Sequence, residues 1–144
     1  MNQLKTIREL ASAYQAFESY SGRHIRGLGL SPSQFDILAT LGNTAGMSCS
    51  ELGEKTLITK GTLTGVLDRL SDKELVERCE HETDGRSTMV RLTKQGQELF
   101  ERVFPAHLKH LDRALKNLST QHQRELQRLL NQLRELFQEA SNEP

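Results

Sequence analysis

The chain has 144 residues, of which 35% are apolar and 26% charged, with no tryptophan and a formal net charge of zero at pH 7. That size suits one compact domain, and no apolar run approaches the roughly 20 residues a membrane-spanning helix requires. A neutral total gives no global field to draw in nucleic acid, so any phosphate binding has to rest on local placement of Lys and Arg.

From Leu4 onward, apolar residues recur at Ile7, Leu10, Tyr14, Phe17, Ile25 and Leu28. The spacing predicts a long amphipathic helix, interrupted near Gly22 and ending at "GLGL". In "SPSQFDILATLGN" Ser31 can cap, Pro32 fits the first helical position and Gln34 completes a capping box. Phe35, Leu38 and Leu41 give this second helix its buried side. Ser48 and Glu51 repeat the S-x-x-E device at a short helix, and Thr59 is expected to cap the helix that carries Leu63, Val66, Leu67 and Leu70. A short helix, a tight turn and a second helix in direct succession form the helix-turn-helix pattern.

"LVERCE" and "STMVRL" alternate apolar with polar residues and are joined by "HETDGR", which reads as a two-stranded hairpin. Thr93 then caps a long helix with Leu99, Val103, Leu108, Leu111 and Leu115, and Pro105 is expected to kink it. Ser119 caps the last helix, whose apolar side carries Leu126, Leu129, Leu130, Leu133, Leu136 and Phe137. The expected fold is mainly α with a small β-hairpin wing: a winged helix-turn-helix with dimerisation helices at both ends. The expected organisation is a single domain over 1–144, with a DNA-binding lobe at 31–95 and dimerisation helices at 1–28 and 105–144.

A helix-turn-helix suits DNA because its second helix is narrow enough to enter the major groove. That helix turns Lys60, Gly61, Thr64, Gly65, Asp68 and Arg69 away from its leucine stripe. Small residues allow close approach, hydroxyls donate to phosphates, and threonine methyls meet thymine. Ser50, Thr59, Lys60, Gly61, Thr62, Thr64 and Arg69 are therefore the candidate contacts. Taken alone, the same residues also fit a capped, solvated helix start. The hairpin adds Arg86 just beyond Gly85, placed to enter a narrow minor groove, with Asp84 able to orient its guanidinium. Alone, that pair equally fits a surface ion pair worth about 0–1 kcal/mol; behind a helix-turn-helix it reads as a wing.

The run "SELGEKTLITKGTLTGVLDRLSDKELVERCEHETDGRSTMVRLTKQGQEL" resembles the MarR (multiple-antibiotic-resistance regulator) family of bacterial transcription factors, most strongly over residues 31–100. Its most specific marks are "LVER", the D-x-R of Asp84 and Arg86, and "VRLTKQG". The resemblance implies a winged-helix dimer in which residues 59–73 read the major groove and Arg86, braced by Asp84, enters the minor groove. It also implies an effector cleft that could take a small aromatic or phenolic molecule, with Tyr14, Phe17, His24 and Phe35 as candidate lining; their helical spacing fits plain core as well. Three departures stand out. Gly85 replaces a residue that is often basic, Glu80, His81 and Glu82 make the wing acidic, and Glu74 stands where a helix-ending glycine is usual. Between Lys55 and Lys94 basic residues outnumber acidic ones by only one, so binding is expected to lean on two copies of the site and to weaken steeply with salt.

The apolar stripes at the two ends exceed what a small winged lobe can cover, so Leu4, Ile7, Leu126, Leu130, Leu133 and Phe137 are expected at a homodimer interface. His107 and His110 lie three apart and could share a metal, but without a companion ligand they are expected to be two solvated histidines. Cys49 lies in the first turn of a short helix, where a thiol can be activated, yet it and Cys79 form neither a CxxC motif nor a disulfide framework. No catalytic set, phosphate loop or metal cluster can be assembled, so no enzyme activity, cofactor or metal is expected. With no apolar signal core at the start, the expected location is the cytoplasm and no membrane partner is expected. The leading expectation is a regulator of transcription that binds double-stranded DNA, a homodimeric repressor on a pseudo-palindromic operator that a small molecule could relieve. The alternative is a winged-helix protein-interaction module without DNA binding.

Overall fold

The computed structural model describes residues 2–56, 58–80 and 88–144, with only the backbone of Glu80. The element order is α1 (Gln3–Gly27), α2 (Pro32–Leu41), β1 (Met47–Ser48), α3 (Cys49–Thr56), α4 (Lys60–Asp72), β2 (Val76–Glu80), β3 (Thr88–Leu92), α5 (Lys94–Leu115) and α6 (Thr120–Ser141). Contacts divide the chain into two compact units, Met1–His110 and Leu111–Pro144, a division that falls within α5.

Local chemistry accounts for most helix starts. At α2 the capping box is complete: the Gln34 N–H donates to Ser31 Oγ at 3.1 Å and the Ser31 N–H to Gln34 Oε1 at 3.0 Å. Ser48 Oγ accepts from the Glu51 N–H at 3.1 Å at the start of α3. Thr93 Oγ1 accepts from the Gly96 N–H at 3.0 Å and donates to the Glu74 carbonyl at 2.6 Å, so one hydroxyl ties the start of α5 to the turn that follows α4. Thr59 departs from expectation. It occupies the N-cap position of α4, but its side chain does not cap; the hydroxyl donates to Thr62 Oγ1 instead, at 3.1 Å. The helix still opens because Leu63 N–H donates to the Thr59 carbonyl at 2.8 Å and Leu63 is buried. α1 runs unbroken through Gly22, and α5 continues on both sides of Pro105.

The wing is larger than a hairpin. β2 and β3 pair antiparallel from Val76↔Leu92 to Glu80↔Thr88, and β1 adds to β3 through Met47↔Val90 and Ser48↔Met89. The sheet order is β1-β3-β2.

Beneath it, Leu41, Leu52, Leu67, Leu70 and Val90 form a core from which water is excluded. A second cluster of Ile25, Leu30, Phe35, Leu38 and Val103 joins α1, α2 and α5. Two glycines permit the close approaches. A Cβ on Gly96 would stand 2.0 Å from the Leu75 carbonyl oxygen, and one on Gly42 would stand 2.3 Å from the Phe100 ring. In the second unit none of the described residues of α6 is buried.

Candidate nucleic-acid interface

α4 is amphipathic: Leu63, Val66, Leu67 and Leu70 are buried, while Lys60, Gly61, Thr62, Thr64, Asp68 and Arg69 are exposed. Burying that apolar stripe fixes the rotation of the helix, and the rotation turns the hydroxyl-rich side outward. Ser50 on α3 and Thr59 at the turn are exposed as well. The turn itself is held by Thr56, whose hydroxyl donates to the Leu52 carbonyl at 2.7 Å and accepts from the Ile58 N–H at 3.4 Å. A Cβ on Gly61 or Gly65 would meet nothing within 4 Å. The protein's own packing therefore does not require glycine there, although glycine inside a helix costs about 1 kcal/mol relative to alanine.

The far end of α4 closes with a Schellman turn. The Leu75 N–H donates to the Leu70 carbonyl and the Glu74 N–H to the Ser71 carbonyl, both at 2.9 Å, and Glu74 takes φ of 62°. Glutamate thus occupies the left-handed conformation that glycine adopts without strain. β2 starts directly from this turn, so the turn sets the direction of the wing.

An ion pair links α4 and β2. Arg78 Nη2 of β2 stands 2.5 Å from Asp68 Oδ1 of α4, and Arg91 of β3 pairs with Glu77 of β2 at 2.6 Å. Two of the acidic residues near the interface are thereby neutralised. In the sequence Arg78 and Asp68 stand as separate charges, because ten residues and two element types separate them. The "LVER" motif was the available signal. Asp84, Gly85 and Arg86, the proposed tip of the wing, lie outside the described residues, as do His81 and Glu82.

The residues assigned to an effector pocket separate into two groups. Tyr14 and Phe17 are 59% and 51% exposed on α1, with ring centroids 6.3 Å apart, so neither is core in the single chain. His24 is half-buried and Phe35 buried, and both adjoin His107. His107 itself overturns the expectation of two solvated histidines. It is 3% exposed, and its ring lies against α1 and α2. His110 is half-buried. Cys49 is half-buried and Cys79 exposed on β2. Among the described residues no group of His, Cys, Asp and Glu could hold a metal, and no helix is long and apolar enough to cross a membrane.

The expected interface residues Leu4, Ile7, Leu126, Leu130 and Phe137 are exposed, at 59%, 40%, 45%, 46% and 51%, and Leu133 is half-buried.

A model described as "MarR family" matches residues 28–87. The HTH-type transcriptional regulator MhqR of Bacillus subtilis is 33% identical over 116 residues, covering 81% of this chain and 80% of that protein. The HTH-type transcriptional repressor YetL of the same organism is 31% identical over 120 residues, covering 82% of this chain and 70% of that protein. Among solved structures, a mutant MarR from E. coli complexed with operator DNA superposes with a TM-score of 0.81 at 25% identity, covering 92% of this chain and 96% of that one.

Proposed function

The chain belongs to the MarR family of winged helix-turn-helix transcriptional regulators, which bind DNA and are not enzymes, and from that membership we propose that it is a homodimeric repressor of a pseudo-palindromic operator. One observation carries the assignment of the contacts. The buried stripe of α4 turns an exposed start of threonines, glycine and Lys60 outward, and Ser50 on α3 is exposed as well. Thr59, Thr62 and Thr64 offer hydroxyls to phosphates and base edges, Gly61 lets the backbone approach, and Lys60 and Arg69 neutralise phosphates. Arg86, oriented by Asp84, takes the minor groove beside it. The likeness to the repressor YetL supports repression. The uncovered leucines of α1 and α6 support a two-fold dimer, which would set two reading helices on half-sites about one DNA turn apart. A small aromatic or phenolic effector is proposed to act through the region of Tyr14, Phe17, His24 and Phe35.

A mobility shift on the promoter beside the protein's own gene tests this reading. A salt-sensitive shift is expected, weakened in Arg86→Ala without loss of helicity or dimer. Absence of any salt-sensitive shift would favour a protein-interaction module instead, and undiminished binding by Arg86→Ala would remove the minor-groove assignment.

A further inference from the structure

Four rings form a ladder along the seam where α1 meets α5. Tyr20 stacks on His110 with centroids 4.1 Å apart and planes 12° apart, and His110 stacks on His24 at 4.1 Å and 9°. His24 in turn faces His107 at 5.2 Å. The ends are pinned: the Tyr20 hydroxyl donates to the His110 carbonyl at 2.6 Å, and Phe35 of α2 meets His107 edge-on at 4.7 Å. His107 uses both ring nitrogens, with Nδ1 2.9 Å from His24 Nδ1 and Nε2 3.1 Å from the buried Ser21 hydroxyl.

This arrangement suits neutral imidazoles. Two Nδ1 atoms at 2.9 Å can share one hydrogen, one ring donating and the other accepting, and Ser21 adapts as donor or acceptor to whichever tautomer His107 adopts. If both rings carry an extra proton, two N–H groups point at each other across that gap and the bond becomes a repulsion between cations. His110, stacked on His24, adds a third group of the same kind. From α1 the ionisable groups facing His107 are those of His24; from α5, His110; Phe35 on α2 contributes no charge. His24 and His110 both act on His107 in the direction that disfavours its charged form.

We propose that His24 and His107, with the His110 ring stacked on them, make up a proton-sensitive joint: a neutral Nδ1–Nδ1 hydrogen bond holds α1 on α5, and protons added to the pair loosen the seam and lower affinity for DNA. The effect on DNA rests on the DNA-binding function proposed above. The route is mechanical. α5 begins one residue after β3, and Gly96 lies on the Leu75 carbonyl, so the first turns of α5 belong to the winged lobe. α1 carries exposed apolar residues assigned to the dimer interface. A loosened seam therefore frees the reading helices from the fixed spacing that two half-sites require. Burial first, then His24 and His110, hold His107 below the ordinary imidazole range. The unfolded chain thus takes up the proton more readily than the folded one, so stability is complete above pH of about 6.5 and falls as pH drops below it.

The test compares the full chain with His24→Gln and His107→Gln between pH 7.5 and 5.5 at constant ionic strength. It measures affinity for a duplex recovered by selection and the thermal midpoint. In the parent, affinity is expected to fall several-fold towards pH 5.5 and the midpoint to drop with it. This is opposite to the tighter phosphate binding that added positive charge alone would bring. His24→Gln, at a half-buried position that tolerates change better than His107, should flatten both trends. Parent affinity that is constant or rises at pH 5.5, or an unchanged pH slope in both variants, would overturn the joint. No binding to any duplex at pH 7.5 would instead remove the DNA-binding function, and the pH slope of the midpoint would still decide whether the seam responds to protons.

Discussion

Arg78 illustrates what a single residue contributes at this interface. Its guanidinium neutralises Asp68, a carboxylate on the outward side of the reading helix, while tying that helix to β2. Both side chains are partly solvated, so the pair adds little to folding, about 0–1 kcal/mol. Its larger effect is on the field that a phosphate meets. Arg78→Ala should weaken DNA binding and barely change the melting temperature, and adding Asp68→Asn should restore most of the affinity. A titration in which the double variant binds no better than Arg78→Ala would show that Asp68 is not the charge being masked. The masking was hidden in the sequence because a net charge counts ions without pairing them. His107 was misjudged for a related reason: its spacing from His110 describes one helix and says nothing of Ser21 and His24 on another.

At the scale of elements, the local bonds were the legible ones. Ser31 with Gln34, and Ser48 with Glu51, span three residues, so residue type and spacing determine them. β1 escaped the reading because two residues show no alternation and their partners, Met89 and Val90, lie more than forty positions away. Thr59 is the boundary of α4 that its residue type suggests, but its hydroxyl has a competing partner in Thr62. Glu74 is the element-scale feature with the clearest cost, since a non-glycine residue in the left-handed region is strained. Glu74→Gly should raise stability by about 1 kcal/mol in chemical denaturation, with the slope of the transition unchanged. A loss of stability would mean that the Glu74 side chain supplies something the Schellman turn does not require. Gly96 behaves in the opposite sense: Gly96→Ala forces a methyl against the Leu75 carbonyl and should cost about 1–3 kcal/mol.

For the whole molecule, the helical fold class and the amphipathic α4 followed from apolar periodicity. Periodicity marks the leucines of α1 and α6 as one face and says nothing of what would cover them. Leu126, Leu130 and Phe137 on α6 are exposed. Replacing Leu130 with Glu should give a monomer in sedimentation equilibrium that keeps its helicity but loses tight DNA binding, because two weakly basic lobes bind well only together. A Leu130→Glu chain that still sediments as a dimer would place the interface elsewhere.

The proposed function has paired α4 helices reading a two-fold DNA site. Selection of bound sequences from random duplex DNA tests it most directly, because binding, symmetry and spacing emerge from one measurement. Recovered duplexes should carry inverted half-sites with centres about one helical turn apart, and they should lose enrichment when the salt is raised. Enrichment of no sequence, or of a single half-site without its inverted partner, would contradict it.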